Sequence, residues 1–291
     1  MKPKALVLAG VVVAAAFLLG VVAARRRLLL DGEMLPVINS PERRAASTHP
    51  MQYYISLPPG WSKTRTWPVV VAIPGSGKNW VSSANAYAAV RDARRYPFII
   101  VTPIVATNGG RDLRSNPAYT YAPSVWDRVD REGRCTFDRE GFSAVMADVA
   151  RDYNGQAKPF LTGYSGGGHF SVAEMLVHPE LLRAAGLSAV NYSGRCVDGP
   201  TTEAKPDFIE PSTPPGISTS PARVTLPVRF FLGTDDPYAK YLAPQRDNAI
   251  RDATSHGFAN VSSTTVRRTG HEAMIAIVLD YFDSLLDRSE R

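Results

Sequence analysis

The stretch Pro159-Phe-Leu-Thr-Gly-Tyr-Ser-Gly-Gly-Gly168 joins a short apolar run to a segment of helical character. It carries the G-x-S-x-G pattern in the context that the pattern requires, a strand that turns sharply into a helix. At the apex of such a turn the Ser165 hydroxyl projects free of the strand, and Gly163 and Gly167 let the strand and helix approach closely. The N–H of Gly166 then faces a developing oxyanion. The stretch therefore predicts a nucleophilic serine, although a plain glycine-rich turn would have the same pattern.

Short apolar runs and helical patterns alternate along the rest of the chain. The predicted strands are 52–57, 69–73, 98–102, the run leading to Ser165, 186–190, 227–232 and 261–267. The predicted helices are 79–96, 142–153, 170–177, 241–256 and 273–286. This alternation predicts an α/β fold with a mainly parallel central sheet and helices on both faces. The loops that follow parallel strands share one edge, and active sites form there.

Two of these loops offer the base and the acid that a serine nucleophile needs. A serine hydroxyl attacks only with a base in hydrogen-bond reach, and that base must be oriented by an acid. His271 follows the last predicted strand, and Gly233-Thr-Asp-Asp-Pro237 follows the strand before it. The chain order Ser, Asp, His is the order this type of fold uses. By position alone either Asp235 or Asp236 serves as the acid, and the other caps the next helix.

A glycine-bearing turn, Ile73-Pro-Gly-Ser-Gly-Lys78, follows the first buried strand. Its backbone can turn N–H groups inward, so the N–H of Ser76 is predicted to join that of Gly166 as the second oxyanion donor. The turn also has features of a phosphate-binding loop, but Ala72 stands where that motif needs glycine and Asn79 where it needs Ser or Thr. A nucleotide site is therefore not predicted.

Taken together, these motifs resemble the α/β-hydrolase superfamily, specifically its feruloyl-esterase and polyhydroxybutyrate-depolymerase-like branch. The resemblance covers about residues 50–288. The matching stretches are Tyr53–Leu57, Ile73-Pro-Gly-Ser-Gly77, Gly163-Tyr-Ser-Gly-Gly167, Gly233-Thr-Asp-Asp-Pro237 and Gly270-His271.

The resemblance implies a secreted serine esterase that needs no cofactor or metal and acts on small-molecule or polymer-linked esters. In that branch a strand ends in G-T-x-D-P with the aspartate as the triad acid, which selects Asp236. The branch often has His-Gly at the oxyanion turn, where this chain has Pro74-Gly75. Because backbone N–H groups are the donors, activity does not require that histidine.

The amino terminus predicts export or membrane anchoring. Residues 5–24 carry no charge and are long enough to span a bilayer of about 30 Å, and they also fit a signal peptide. Residues 1–30 hold five of the 33 basic residues and no acid, which leaves 28 basic against 27 acidic residues in the remainder. A nucleic-acid-binding face is therefore not indicated. We expect an export signal or anchor over 1–30, a linker over 31–50 and a catalytic domain over 51–291.

The two cysteines, Cys135 and Cys196, are predicted to pair in an oxidising compartment from loops at one end of the sheet, with two free thiols as the alternative. Loops 105–135 and 196–225 are expected to shape the substrate pocket. Their aromatic residues either stack on a substrate ring or act as packing anchors; they are Tyr119, Tyr121 and Trp126. Two other functions stay open, a peptidase or amidase using the same triad and a membrane-tethered binding protein on an inactive hydrolase scaffold.

Overall fold

A computed structural model describes residues 40–77, 79–108, 113–117, 119–194, 196–197 and 216–290. The predicted export segment lies outside these ranges, as does most of the predicted loop 196–225. Within the described ranges, no helix is both long and apolar enough to cross a membrane.

Eight strands of the described chain form one sheet in the order β1-β2-β4-β3-β5-β6-β7-β8. The first two strands add antiparallel at one edge, and β3 to β8 run parallel. The strands are β1 (Glu42–Ala45), β2 (Gln52–Ser56), β3 (Val69–Ile73), β4 (Ile99–Pro103), β5 (Phe160–Tyr164), β6 (Ala184–Ser188), β7 (Val228–Gly233) and β8 (Val261–Val266). The carboxyl ends of the six parallel strands therefore share one edge, as predicted.

Helices cover both faces of the sheet, and this explains the continuous apolar sequence of the central strands. The helices are α1 (Trp80–Arg94), α2 (Pro123–Glu132), α3 (Arg134–Tyr153), α4 (Gly168–Val177), α5 (Ala222–Thr225), α6 (Ala239–Ser255) and α7 (Ile275–Ser284). Alternate residues of β3 enter opposite cores: Val69 and Val71 lie with α3, α4 and α6, whereas Val70 lies with α1 and α7. The α/β prediction is confirmed.

Three details differ from the sequence-based expectations. Strand β1 pairs with β2 inside the segment predicted as a linker, so the folded domain begins before residue 51. The segment 105–135, predicted as an irregular loop, contains helix α2, which begins at Pro123 and buries Trp126 and Val129 on one face. Strand β6 ends at Ser188, two residues before the predicted end.

Candidate active site

Ser165 lies at a sharp turn between β5 and α4, within a short 3-10 segment, Ser165–Gly167. Its φ of 48° is in the left-handed region that non-glycine residues avoid, which marks a strained backbone. The Ser165 carbonyl accepts a hydrogen bond from the N–H of Asn191 at 2.9 Å and helps to hold the turn. A Cβ on Gly167 would lie 2.5 Å from the carbonyl oxygen of Ile73, so only glycine permits this close approach.

The structure brings Ser165, His271 and Asp236 into one hydrogen-bonded series. His271 Nδ1 lies 2.8 Å from Asp236 Oδ2, and His271 Nε2 lies 3.0 Å from Ser165 Oγ. An ionised carboxylate only accepts hydrogen bonds, so Nδ1 carries a proton, and in the neutral imidazole Nε2 then accepts from the serine hydroxyl. This tautomer is the one that a general base for Ser165 requires.

Asp235 and Asp236, of which the resemblance implied Asp236 as the acid, have different surroundings. The side chain of Asp236 is fully buried, and its second oxygen accepts the backbone N–H of Tyr238 at 2.8 Å. Asp235 is exposed, and its carboxylate accepts a hydrogen bond from the hydroxyl of Thr234 at 2.7 Å. Only Asp236 therefore contacts His271.

Two tyrosines that the sequence analysis did not single out flank the His271 imidazole. The rings of Tyr164 and Tyr238 have centroids 5.0 and 4.9 Å from it. The Tyr164 hydroxyl also donates to the His271 carbonyl at 2.8 Å. Burial raises the pKa of Tyr164 to about 12, so this phenol stays protonated and keeps donating. Tyr164 is the first variable residue of G-x-S-x-G, and Tyr238 directly follows Pro237. Their closeness in sequence to these two motifs is the feature that could have predicted their position beside His271.

The turn after β3 lies against the residue that follows Ser165. The two backbones are so close that a Cβ added to Gly166 would lie 3.1 Å from the backbone nitrogen of Ser76 and would overlap the Oγ of Ser76. The two backbone groups predicted as oxyanion donors, Ser76 and Gly166, are therefore neighbours beside Ser165. Within the described ranges, no group of three or more His, Cys, Asp or Glu side chains is arranged to hold a metal ion.

Comparison with known proteins identifies the family. The family model named Esterase matches residues 45–222, which is more than half of the 291 residues. The chain belongs to the Esterase family. A comparison with curated proteins gives no match.

Solved structures of low sequence identity share the fold of this esterase. A thermostable esterase aligns over 84% of this chain and 61% of its own, with 16% identity and a TM-score of 0.52. An S-formylglutathione hydrolase from Agrobacterium tumefaciens aligns over 84% and 92%, with 13% identity and a TM-score of 0.53. A ferulic acid esterase from Anaeromyces mucronatus aligns over 82% and 86%, with 16% identity and a TM-score of 0.55. The fold is that of an α/β hydrolase, and family and fold together make the chain a carboxylesterase-type hydrolase.

The aromatic residues expected near a substrate are packing anchors in this esterase. Tyr119, Tyr121 and Trp126 are at most 9% exposed and pack against one another edge to face or tilted. The hydroxyl of Tyr119 donates to the Val105 carbonyl at 2.9 Å, and that of Tyr121 donates to the Ile104 carbonyl at 3.1 Å. The two tyrosine hydroxyls therefore fix the loop after β4, and the three rings are buried in packing contacts with one another.

A disulfide joins Cys135 to Cys196, as predicted, with Cα atoms 5.4 Å apart. Cys135 lies in helix α3 rather than in a loop, which corrects the expectation for its surroundings. The bond ties α3 to the chain beyond β6 and closes a sequence separation of 61 residues. A closed loop of this length lowers the entropy of the unfolded chain by an amount worth about 4 kcal/mol.

We expect the double variant Cys135→Ser/Cys196→Ser to lose about 2–4 kcal/mol of unfolding free energy, because its unfolded chain is no longer cross-linked. Urea denaturation without reductant measures this loss. Adding reductant should bring the wild type to the level of the variant and leave the variant unchanged. A wild type whose stability is insensitive to complete reduction would contradict the prediction.

Glu174 is a buried acid on helix α4, which begins just after the turn at Ser165. Its side chain is 3% exposed, and Oε1 makes no hydrogen bond within the described part of the chain. Burial raises its pKa to about 8, although the charge of Arg139 opposes the shift. A cavity of about 10 Å³ between these two side chains and the disulfide has room for about one water. The raised pKa therefore favours the neutral form of the Glu174 carboxyl at pH 7.

The titration of Glu174 makes the stability of the esterase depend on pH. Between pH 4.5 and about 8 the unfolded chain releases the proton that the folded chain keeps, so unfolding free energy falls as pH rises. We expect the advantage of Glu174→Gln over wild type to grow through this window, on the order of 1.4 kcal/mol per pH unit. Urea denaturation of both proteins at about pH 5, 6, 7 and 8 measures this difference in unfolding free energy. A difference that is constant with pH would contradict the raised pKa.

Proposed function

We propose that this esterase cleaves carboxylic esters by two-step acyl transfer, with Ser165 as nucleophile, His271 as base and Asp236 as the acid that orients it. The observation that carries the proposal is the series of hydrogen bonds from Asp236 through His271 to Ser165. The strained turn at Ser165 supports it, because such strain is maintained at functional sites.

In the first step Ser165 Oγ attacks the ester carbonyl carbon while His271 Nε2 takes the hydroxyl proton. The carbonyl oxygen gains the negative charge and accepts hydrogen bonds from the N–H groups of Ser76 and Gly166. When the tetrahedral intermediate collapses, His271 returns the proton to the leaving alcohol and the acyl group stays on Ser165. Water then attacks the acyl-enzyme by the same route, and the carboxylic acid is released.

We further propose that the enzyme acts outside the cytoplasm on small-molecule or polymer-linked esters. The uncharged segment 5–24 supports export or membrane anchoring. The disulfide is a second, independent support, since such bonds persist in oxidising compartments. The exposed Tyr238, whose ring contacts His271, offers apolar surface to a substrate beside the proposed reacting groups.

A fluorophosphonate probe and a panel of matched p-nitrophenyl esters and p-nitroanilides test this function on the full-length chain. We expect covalent labelling and a higher kcat/KM for each ester than for its matched anilide. Faster cleavage of the anilides would favour the amidase or peptidase alternative. No labelling of the folded protein would instead favour a binding protein on a hydrolase scaffold.

A further inference from the structure

Asn108 lies in the loop after β4 and is 3% exposed. Its side-chain Nδ2 donates to the carbonyl oxygens of Pro74 and Gly75, the second at 3.2 Å. We infer that Asn108 is a positioning residue for the oxyanion hole, which holds the turn after β3 so that the N–H of Ser76 faces the substrate oxygen. This inference rests on the proposed function.

The geometry of one peptide group explains how Asn108 acts. The carbonyl of Gly75 and the N–H of Ser76 belong to the same planar unit and point in opposite directions. A donor that holds the carbonyl on one side therefore directs the N–H to the other side. Without this donor, rotation of the peptide would turn an oxygen toward the oxyanion and replace attraction by repulsion.

The orientation of the Asn108 amide is determined by its neighbours. If the amide were flipped, its oxygen would face the two carbonyl oxygens of the turn, and no hydrogen bond would form. In the observed orientation Oδ1 makes no hydrogen bond to any described residue. A Cβ on Gly166 would lie 2.8 Å from this oxygen, so the amide lies directly beside both predicted oxyanion donors.

Helix α3 supports the loop that carries Asn108. Asp138 is fully buried, and its two carboxylate oxygens accept the backbone N–H groups of Ala106 and Thr107, each at 2.7 Å. The hydroxyls of Tyr119 and Tyr121 bind the two preceding carbonyls. These contacts fix the backbone that carries the Asn108 amide, so the amide can hold a turn that lies more than thirty residues earlier in the chain.

Kinetics of Asn108→Leu and Asn108→Ala on a p-nitrophenyl ester give the first test. Because loss of one oxyanion donor costs about 10²-fold or more in kcat, we expect a loss of about 10²-fold in kcat and KM within about twofold of wild type. Thr102→Val is the matched control, since its buried hydroxyl at the end of β4 has no hydrogen-bond partner among the described residues. It should keep the wild-type kcat.

Two ketone inhibitors distinguish positioning from general damage. An alkyl trifluoromethyl ketone forms a tetrahedral adduct with its oxygen in the oxyanion hole, whereas the matching methyl ketone binds as a planar carbonyl. In both Asn108 variants we expect the inhibition constant of the first to rise in proportion to the loss in kcat/KM, and that of the second to stay nearly constant. Equal weakening of both inhibitors, or an unchanged kcat, would overturn the inference.

Crystal structures of the two variants provide a readout that does not depend on activity. We expect the peptide between Gly75 and Ser76 to be rotated or to occupy two orientations. If it keeps the wild-type orientation in both variants, Asn108 does not position it, whatever the enzyme cleaves. If the wild type cleaves no ester while the peptide rotates in the variants, the proposed function fails and the positioning role stands.

Discussion

Replacing Ser165 by alanine should lower kcat on a p-nitrophenyl ester by about 10⁶-fold, because the proposed reaction then has no nucleophile. The remaining rate comes from substrate binding and the backbone donors of Ser76 and Gly166, which the substitution keeps. Alanine has the same Cβ as serine and places no further restriction on the backbone, so it can adopt the positive φ of position 165 and the fold should be retained. Stopped assays on concentrated enzyme and labelling with a fluorophosphonate measure the loss.

Ser188 provides the matched serine control. It pairs in register with Tyr164 on the neighbouring strand, and its buried hydroxyl has no hydrogen-bond partner in the described ranges. Ser188→Ala should therefore keep both probe labelling and wild-type kcat. Labelling that survives in Ser165→Ala would mean that another residue is the nucleophile, and the proposed mechanism would be wrong.

The second large effect is expected from Asp236→Asn, with a loss of about 10⁴-fold in kcat. The asparagine has nearly the same shape, and its oxygen can still accept the N–H of Tyr238. Its amide nitrogen would then face His271 as a donor, so Nδ1 must give up its proton and accept. The proton moves to Nε2, which can no longer accept the proton of Ser165. Steady-state kinetics with a circular dichroism control for folding measures the effect.

Asp235→Asn makes the same chemical change one residue away. Because Asp235 is exposed and bonds only to Thr234 among the described contacts of its side chain, we expect kcat within about threefold of wild type. The two variants together test the choice that position in the sequence left open. Equal losses of kcat in the two variants, or a larger loss in Asp235→Asn, would show that Asp236 is wrongly assigned as the acid.

The amino-acid sequence by itself predicted the α/β class and the loops that carry the candidate reacting groups. Both follow from local information: apolar runs bounded by proline and glycine predict buried strands, and the G-x-S-x-G pattern predicts a sharp turn at Ser165. Once the strands are parallel, their carboxyl ends share an edge, so the loops carrying Asp236 and His271 must meet there. The match to the Esterase family over residues 45–222 agrees with the predicted class.

The tertiary structure alone decided which side chains touch. Position along the chain leaves Asp235 and Asp236 equivalent and the resemblance implies Asp236, but only the direction in which the turn after β7 faces brings the Asp236 carboxylate to His271. The aromatic residues of segment 105–135 carry the same pattern whether they bind substrate or pack, and the docking of α2 and α3 buries them. Asn108 and the carbonyls it holds are more than thirty residues apart, so no periodicity links them. Such contacts depend on how distant elements pack, and packing is a property of the whole chain rather than of a local pattern.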